Sequence, residues 1–329
     1  MSGLPHLPTL EGVAPLPHLG VIRATGEDAA NFLHNQLTQD VLLMKADQCH
    51  LGAFCNAKGR MQASFVYCKP SPNEVLLVCR RDLIAQTVKR LSMFVLRAKV
   101  KLTDATADFH LFGLAGKTLE SLVAKISQES SLQSTSPKEL STTQQPWRCI
   151  PWESAQAYVL THYPAMEQPR ALLLASSAPD LSAYPILDAA NWQLGEVMSG
   201  IAWVEQATFE AFVPQMLNYE SVDGVNFKKG CYPGQEVVAR SQFRGTLKRR
   251  AYVVQSAGAI TAGQEIFTSD ATDQPCGLVA QVATVNDQTY AVVELQTSVV
   301  DENKLLHVGG PTGPQLHVLP LPYVLRDDI

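Results

Sequence analysis

Residues 226–240 read NFKKGCYPGQEVVAR, a stretch in which one cysteine stands among glycines, lysines and a Tyr-Pro step. Pro233 suits the first turn of a helix that the following residues can continue, which places Cys231 just before the helix. Backbone amides at that end, together with Lys228 and Lys229, would favour a thiolate. A small cysteine packed into a tight turn accounts for the same residues, and the local sequence leaves both interpretations open.

Positive charge accumulates directly after this stretch. Arg240, Arg244, Lys248, Arg249 and Arg250 place five cations within eleven residues that contain no acid. Such a cluster suits carboxylates, phosphates or an RNA backbone. A solvated linker into the next domain is the alternative that the sequence also allows.

The texture of the sequence changes after residue 250, where helical periodicity stops. Short β-rich runs separated by Gly, Asp and Asn turns are typical of a small antiparallel barrel or sandwich. These runs cover 251–254, 264–268, 277–284, 289–295 and 316–319. We therefore predict two regions, an α+β region over 1–245 and a β-barrel domain over 246–329.

The α+β region mixes helical and strand patterns. Apolar spacing after Thr25 indicates a helix that this residue caps, and further helices are predicted over 81–96 and 191–204. Predicted strands include Cys49–Cys55, and two more flank a Pro-Ser-Pro-Asn turn as a hairpin. A polar stretch near 127–147 is predicted to be an exposed loop, and the whole region to form two intertwined subdomains.

Bulk composition excludes several classes of protein. The chain has 329 residues, 46% of them hydrophobic and 17% charged, and a net charge of −5, which argues against a nucleic-acid binder that depends on a global positive field. No run approaches the roughly 18 apolar residues of a membrane span, and no signal peptide is evident. Seven scattered cysteines without a metal-ligand spacing fit reduced thiols in the cytoplasm, so we predict no metal site.

Several motifs in order along the chain resemble those of the YgfZ family, which comprises folate-binding, tRNA-modifying proteins related to the T-protein (aminomethyltransferase) of glycine cleavage. KGCYPGQE at 229–236 resembles the family's cysteine signature, and FVPQMLN at 212–218 resembles its F-x-P-Q-x-x-N segment. NAKGR at 56–60, QLTQD at 36–40 and LPLPY at 319–323 also resemble family segments. The resemblance covers nearly the whole chain.

The resemblance implies an α+β fold of three domains in a ring around a central hole, with a C-terminal antiparallel β-barrel. It implies tetrahydrofolate or a derivative as the cofactor, and iron–sulphur enzymes, including those that thiolate tRNA, as partners. Cys231 matches the family's key thiol, and Lys229 lies beside it. The folate-binding candidates are Trp192, His18, Lys58, Arg60, Tyr232, Gln235, Glu236 and Arg244.

Two departures from the family pattern bear on function. His18 stands where a folate-stacking tryptophan is expected, and an imidazole offers less stacking surface than an indole. Gln62 and Ala63 stand where the T-protein carries an acid pair, and neither side chain can titrate.

Three functions follow as hypotheses. The leading hypothesis is a folate-binding accessory protein that serves iron–sulphur enzymes and has a reactive Cys231. A folate-dependent aminomethyl or methylene transferase is disfavoured by Gln62 and Ala63, and whether the chain is an enzyme stays open. Direct tRNA binding through 240–250 is disfavoured by the acidic net charge and because Phe243 is the one aromatic residue inside the cluster.

Overall fold

The structure is a computed structural model. It describes residues 8–129, 145–165, 167–243, 247–270 and 274–326. Arg244 and most of the predicted polar loop lie outside these ranges.

The described chain alternates strands and short helices. The strands are β1 (Gly12–Pro15), β2 (Leu19–Thr25), β3 (Cys49–Cys55), β4 (Met61–Ser71), β5 (Glu74–Arg80), β6 (Lys101–Asp104), β7 (His110–Ala115), β8 (Cys149–Trp152), β9 (Ala157–Ala165), β10 (Gln168–Ala175), β11 (Arg249–Ser256), β12 (Glu265–Thr268), β13 (Gly277–Val285), β14 (Gln288–Gln296), β15 (Leu306–Val308) and β16 (Gln315–Leu319). The α-helices are α1 (Ala29–His34), α2 (Ile84–Ser92), α3 (Lys117–Glu129), α4 (Ala189–Met198), α5 (Gln235–Phe243) and α6 (Thr297–Asp301).

The first sheet has the order β3-β4-β5-β2-β6 and is antiparallel throughout. Successive side chains of a strand point to opposite faces, so β4 contributes to two cores. Phe65 and Tyr67 pack under α1 and α2, whereas Val66 and Cys68 face the middle of the molecule. The predicted hairpin is confirmed, because β4 pairs with β5 across the turn.

The second sheet has the order β1-β7-β10-β9-β8, and α3 packs on its outer face. Its inner face, represented by Leu160 and Leu172, joins the same central core as Val66 of the first sheet. α4 adds Trp192 and Leu194 to that core. The centre of the protein is therefore a hydrophobic core shared between the sheets rather than the interior of one of them.

The third unit is a closed antiparallel barrel of order β11-β14-β13-β12-β15-β16. Every predicted run after residue 250 becomes a strand, and β15 is an additional strand that the pattern did not predict. The predicted α+β class and C-terminal barrel are thus confirmed. β11 begins at Arg249, and the boundary at 245/246 stays a prediction.

Buried polar contacts join the barrel to the rest of the chain. Arg250 pairs with Glu220 at 2.7 Å, and both side chains are buried. The Asn218 side chain donates a hydrogen bond to the Ala251 carbonyl at 2.9 Å. The Tyr323 hydroxyl donates to the Gly200 carbonyl at 2.8 Å and accepts from Asn218 at 3.2 Å. These bonds fix how the barrel lies against the central core.

Two helices differ from their predictions. α4 ends at Met198 instead of continuing to 204, because Gly200 adopts a φ of +68° that breaks the helix. Thr25 does not cap α1, since it belongs to β2 and the residue before the helix is Asp28. In the part of the chain that the structure describes, no helix has the length and apolarity to cross a membrane.

Candidate functional site

Cys231 differs from the other cysteines in its exposure. All seven cysteines lie in described residues and none is in a disulfide. Cys231 is exposed, whereas the other six are buried. A reagent in solution can therefore reach this thiol without the protein unfolding.

The turn that carries Cys231 is not the start of a helix. α5 begins at Gln235, and Pro233 precedes it in a turn, so the helix starts later than predicted and Cys231 lies four positions before its first residue. The cause is Gly234, whose φ of +80° bends the chain between the cysteine and the helix. A Cβ at Gly234 would lie 2.4 Å from the Asn56 carbonyl oxygen, so only glycine fits where this turn meets the 56–60 turn.

Lys229 is buried beneath the Cys231 turn. Its ammonium group donates to the carbonyls of His34 at 2.6 Å, Leu37 at 3.0 Å and Gly230 at 3.2 Å. Its Nζ lies 4.7 Å from the centre of the Tyr232 ring, within the range of a cation–π contact. Burial lowers the pKa of Lys229 to about 8, while Asp40 and Cys231 act in the opposite direction. Lys229 is thus an electrostatic neighbour of the thiol.

His34 is a residue that the sequence analysis did not single out. Its Nε2 lies 3.6 Å from where a Cβ on Gly230 would stand, and its Nδ1 lies 3.5 Å from the Asp40 carboxylate. Burial, and then the charge of Lys229, lower the pKa of His34, so the imidazole is neutral at neutral pH. No local signal marks this residue, because the turn it faces lies almost 200 positions later in the chain.

The other predicted site residues around the cysteine divide by burial. Tyr232 is buried, Gln235 is half-buried at the start of α5, and Glu236 is exposed in its first turn. Lys58 is exposed. Arg60 is half-buried and donates a hydrogen bond from Nη1 to the Ala211 carbonyl.

A second constellation surrounds Glu196 of α4 in the central core. This carboxylate accepts a hydrogen bond from Trp192 Nε1 at 3.3 Å and another from Gln281 Nε2 of the barrel at 3.2 Å. His18 Nε2 lies 3.9 Å from the same group. The two residues predicted to stack on folate, His18 and Trp192, therefore meet at one buried carboxylate.

Arg170 of β10 supplies the positive charge beside Glu196. Its guanidinium donates to the Gly195 carbonyl at 2.6 Å and lies 4.6 Å from the Trp192 ring centre. Burial lowers the pKa of Arg170 to about 10, and Glu196 opposes that shift. Burial, followed by the charge of Arg170, lowers the pKa of His162 to about 3, so this histidine is uncharged.

The cavity at this constellation is small. It is lined by the acid Glu196, the base Arg170 and the aromatic residues Trp147, His162 and Trp203. Its volume is about 10 Å³, which is room for roughly one water molecule. The Nε2 atom of His162 and the Nε atom of Arg170 have no hydrogen-bond partner among the described residues. The cavity therefore offers free polar atoms but little space.

Trp192 is a core residue in this structure. Its side chain is 1% exposed, and a Cβ at Gly113 would lie 2.4 Å from its ring. The Arg170 guanidinium lies over the same ring. Folate stacking on this indole stays a prediction.

Gln62 has an acid beside it that the sequence analysis did not find. Gln62 Nε2 donates to Glu210 Oε1 at 2.6 Å. Hydrogen bonds from Asn56 and Gln62 lower the pKa of Glu210. This carboxylate lines an outer cavity with Phe54 and Arg90, and not the cavity around Glu196.

The basic cluster is partly neutralised by acids from elsewhere in the chain. Arg249 pairs with Glu294 at 2.8 Å, and Arg250 with Glu220 at 2.7 Å. Arg240 and Lys248 are exposed. Two of the five charges are thus committed to internal ion pairs.

Comparison with known proteins places the chain in a family. A family model described as the GCVT N-terminal domain matches residues 10–151. A tRNA-modifying protein YgfZ from Vibrio vulnificus (strain YJ016) is 30% identical over 257 residues, which cover 76% of this chain and 72% of the relative. The chain belongs to the YgfZ family. A YgfZ protein from Yersinia pestis (strain Pestoides F) is 26% identical over 311 residues, 94% of this chain and 91% of that protein.

The fold extends beyond the YgfZ family. The crystal structure of the glycine cleavage system aminomethyltransferase T from Bartonella henselae matches with a TM-score of 0.69 and 13% identity, over 97% of this chain and 88% of that chain. The T-protein-like fold predicted from the motifs is therefore confirmed.

Among the described residues, no group of three or more His, Cys, Asp or Glu side chains is arranged to hold a metal ion.

Proposed function

We propose that this YgfZ-family protein binds a reduced folate in its central cavity and uses the Cys231 thiol in a step that supports iron–sulphur enzymes and, through them, tRNA modification. The observation that carries the proposal is the exposed Cys231 thiol, which has the buried Lys229 ammonium group as its electrostatic neighbour. The relatives named tRNA-modifying protein YgfZ support the tRNA-modification part of this role.

The central cavity supports folate binding through its chemistry. A pterin ring presents hydrogen-bond donors and acceptors on one edge, and Glu196, Arg170 and His162 offer complementary groups, some of them without a partner. The small volume requires an aromatic wall residue such as Trp203 to move before a bicyclic ring enters. A reduced folate would supply one-carbon chemistry at its ring nitrogens.

The Cys231 turn supports proton transfer from the thiol. His34 Nε2 faces Gly230, the residue before Cys231, and we propose that it accepts the S–H proton while the Asp40 carboxylate beside Nδ1 stabilises the imidazolium. The Lys229 ammonium stabilises the thiolate that remains.

The two alternative functions are less well supported. Glu210 supplies a carboxylate next to Gln62, but it lines the outer cavity, so it does not restore the acid that a transferase needs beside the folate. Direct tRNA binding is disfavoured because two of the five cations, Arg249 and Arg250, form ion pairs with Glu294 and Glu220.

The test separates the folate from the thiol. Tetrahydrofolate is titrated anaerobically against tryptophan fluorescence, and tRNA thiolation is measured in cells that carry each variant as the sole copy. We expect Cys231→Ser to keep the folate affinity and to lose tRNA thiolation. Cys276→Ser, which removes a buried barrel thiol, is the matched control and should retain both.

Two results would count against the proposal. Full thiolation in Cys231→Ser removes the thiol from the function. The absence of a saturable fluorescence change in the wild type would show that the protein does not bind tetrahydrofolate.

A further inference from the structure

A second cavity lies on the other side of the first sheet from Glu196. It has a volume of about 250 Å³ and is bounded by Phe54 of β3, by α2 and by the turn at 206–210. Phe54 belongs to the core under α1 and α2, not to the central core. At about 30 Å³ for each water molecule, the cavity holds roughly eight waters, or one small organic molecule.

The walls of this cavity are held in place by the backbone. β4 carries a bulge at Gln62, because Phe54 pairs with Ala63 and the next residue of β3 pairs with Met61. The bulge turns Gln62 toward Glu210, whose backbone N–H donates to the Met61 carbonyl at 3.0 Å. Glu210 also adopts a left-handed φ of +58°. The site is therefore formed before any ligand arrives.

Two buried polar atoms in the walls lack partners. Gln62 is 5% exposed and Thr87 is 3% exposed, and both line the cavity. Neither Gln62 Oε1 nor Thr87 Oγ1 has a hydrogen-bond partner among the described residues. An unsatisfied buried polar atom costs about 1–3 kcal/mol, so a ligand that bonds to these atoms gains affinity from them.

The rim carries one charge of each sign. Glu210 is ionised at neutral pH, since hydrogen bonds from Asn56 and Gln62 lower its pKa. The Arg90 guanidinium is exposed and close enough to act on that carboxylate, but it forms no ion pair with it. Phe54 and Phe209 add apolar surface between them. A ligand that matches these groups has an anionic end, a cationic end and an apolar part.

We propose that this outer cavity binds a free α-amino acid with an apolar side chain. Its carboxylate binds the Arg90 guanidinium and accepts from the Thr87 hydroxyl, and its ammonium group binds Glu210 and Gln62 Oε1. The side chain packs against the phenylalanines. A phosphate-bearing ligand of the same size fits less well, because Glu210 repels its negative charge.

Binding is measured by isothermal titration calorimetry with glycine, L-leucine, L-methionine and L-phenylalanine. Leucinamide, which lacks the carboxylate, and N-acetyl-leucine, which lacks the ammonium group, are the matched ligands. We expect saturable binding of at least one apolar amino acid, and at least tenfold weaker binding of both leucine analogues. Arg90→Gln and Glu210→Gln should each weaken binding about tenfold or more, because each removes a charge-assisted hydrogen bond.

Lys89→Gln is the matched control, since Lys89 is exposed on the same helix and does not line the cavity. Circular dichroism checks that the exposed rim variants fold. No heat from any amino acid at 10 mM, analogues that bind as well as leucine, or binding of guanosine monophosphate in their place would each overturn the proposal. Tetrahydrofolate affinity should be unchanged in Arg90→Gln, so this inference and the proposed function fail separately.

Discussion

The buried charges around the central cavity predict a strong energetic coupling between Arg170 and Glu196. The two side chains line one cavity and are 1% and 2% exposed. Arg170→Met removes the cation and its bond to Gly195, and leaves the carboxylate with Trp192 and Gln281 as donors. Removing one partner of a buried charge pair costs about 3–5 kcal/mol.

Glu196→Gln should cost a similar amount, because it leaves the guanidinium without its counter-charge. The double variant leaves neither charge alone, so its cost should fall short of the sum by about 2 kcal/mol or more. In a chain of this size each kcal/mol shifts the melting temperature by roughly 2 °C, so each single variant should melt roughly 6–10 °C lower.

The assay is differential scanning calorimetry of wild type, both single variants and the double variant at neutral pH. Arg148→Met is the control, since Arg148 forms a partly exposed ion pair with Asp47 at 3.7 Å and should shift the midpoint by less than about 2 °C. Additive shifts in the double variant, or a change in Arg170→Met no larger than in the control, would refute the coupling.

Three further predictions concern single residues. Under native conditions a chromogenic disulfide reagent should react rapidly with one thiol, and Cys231→Ser should abolish that phase; rapid reaction of a second thiol would contradict the burial of the other cysteines. Because the pKa of Lys229 is lowered to about 8, the unfolded chain binds more protons between pH 8 and about 10.4, so stability should rise with pH across this window. Urea melts of Lys229→Met should lack this rise and those of the exposed Lys228→Met should keep it, and equal slopes would count against the shift. Gly113→Ala should cost about 1–3 kcal/mol and shift the emission of Trp192, because the added methyl group overlaps the indole; an unchanged spectrum would show that the ring is not held there.

Local sequence patterns predicted the strands well where turns bound them. β3 has the predicted bounds, and the barrel strands include the short β-rich runs predicted between Gly, Asp and Asn turns. The helix ends were less predictable, because they are set by glycines with positive φ angles rather than by the apolar pattern. Gly200 ended α4 early and Gly234 delayed the start of α5, and neither φ angle can be read from the helical periodicity.

The candidate site was predictable only in part, because folding brings together residues that are far apart in the sequence. The cysteine signature marked Cys231 and Lys229 correctly as neighbours, since they are two positions apart. His34 and Glu210 carry no motif, and each meets its partner across well over a hundred residues of chain. Their roles depend on tertiary packing that no local pattern encodes.

The bond from Tyr323 to Gly200 spans 123 residues, and this has a consequence for biosynthesis. At translation rates of 5–20 residues per second, the ribosome makes Tyr323 roughly 6–25 s after Gly200. During that interval the Gly200 carbonyl lacks the Tyr323 hydroxyl group that donates to it in the complete protein. The nascent centre of the protein should therefore be sensitive to proteases and chaperones until the barrel and the tyrosine that follows it are complete.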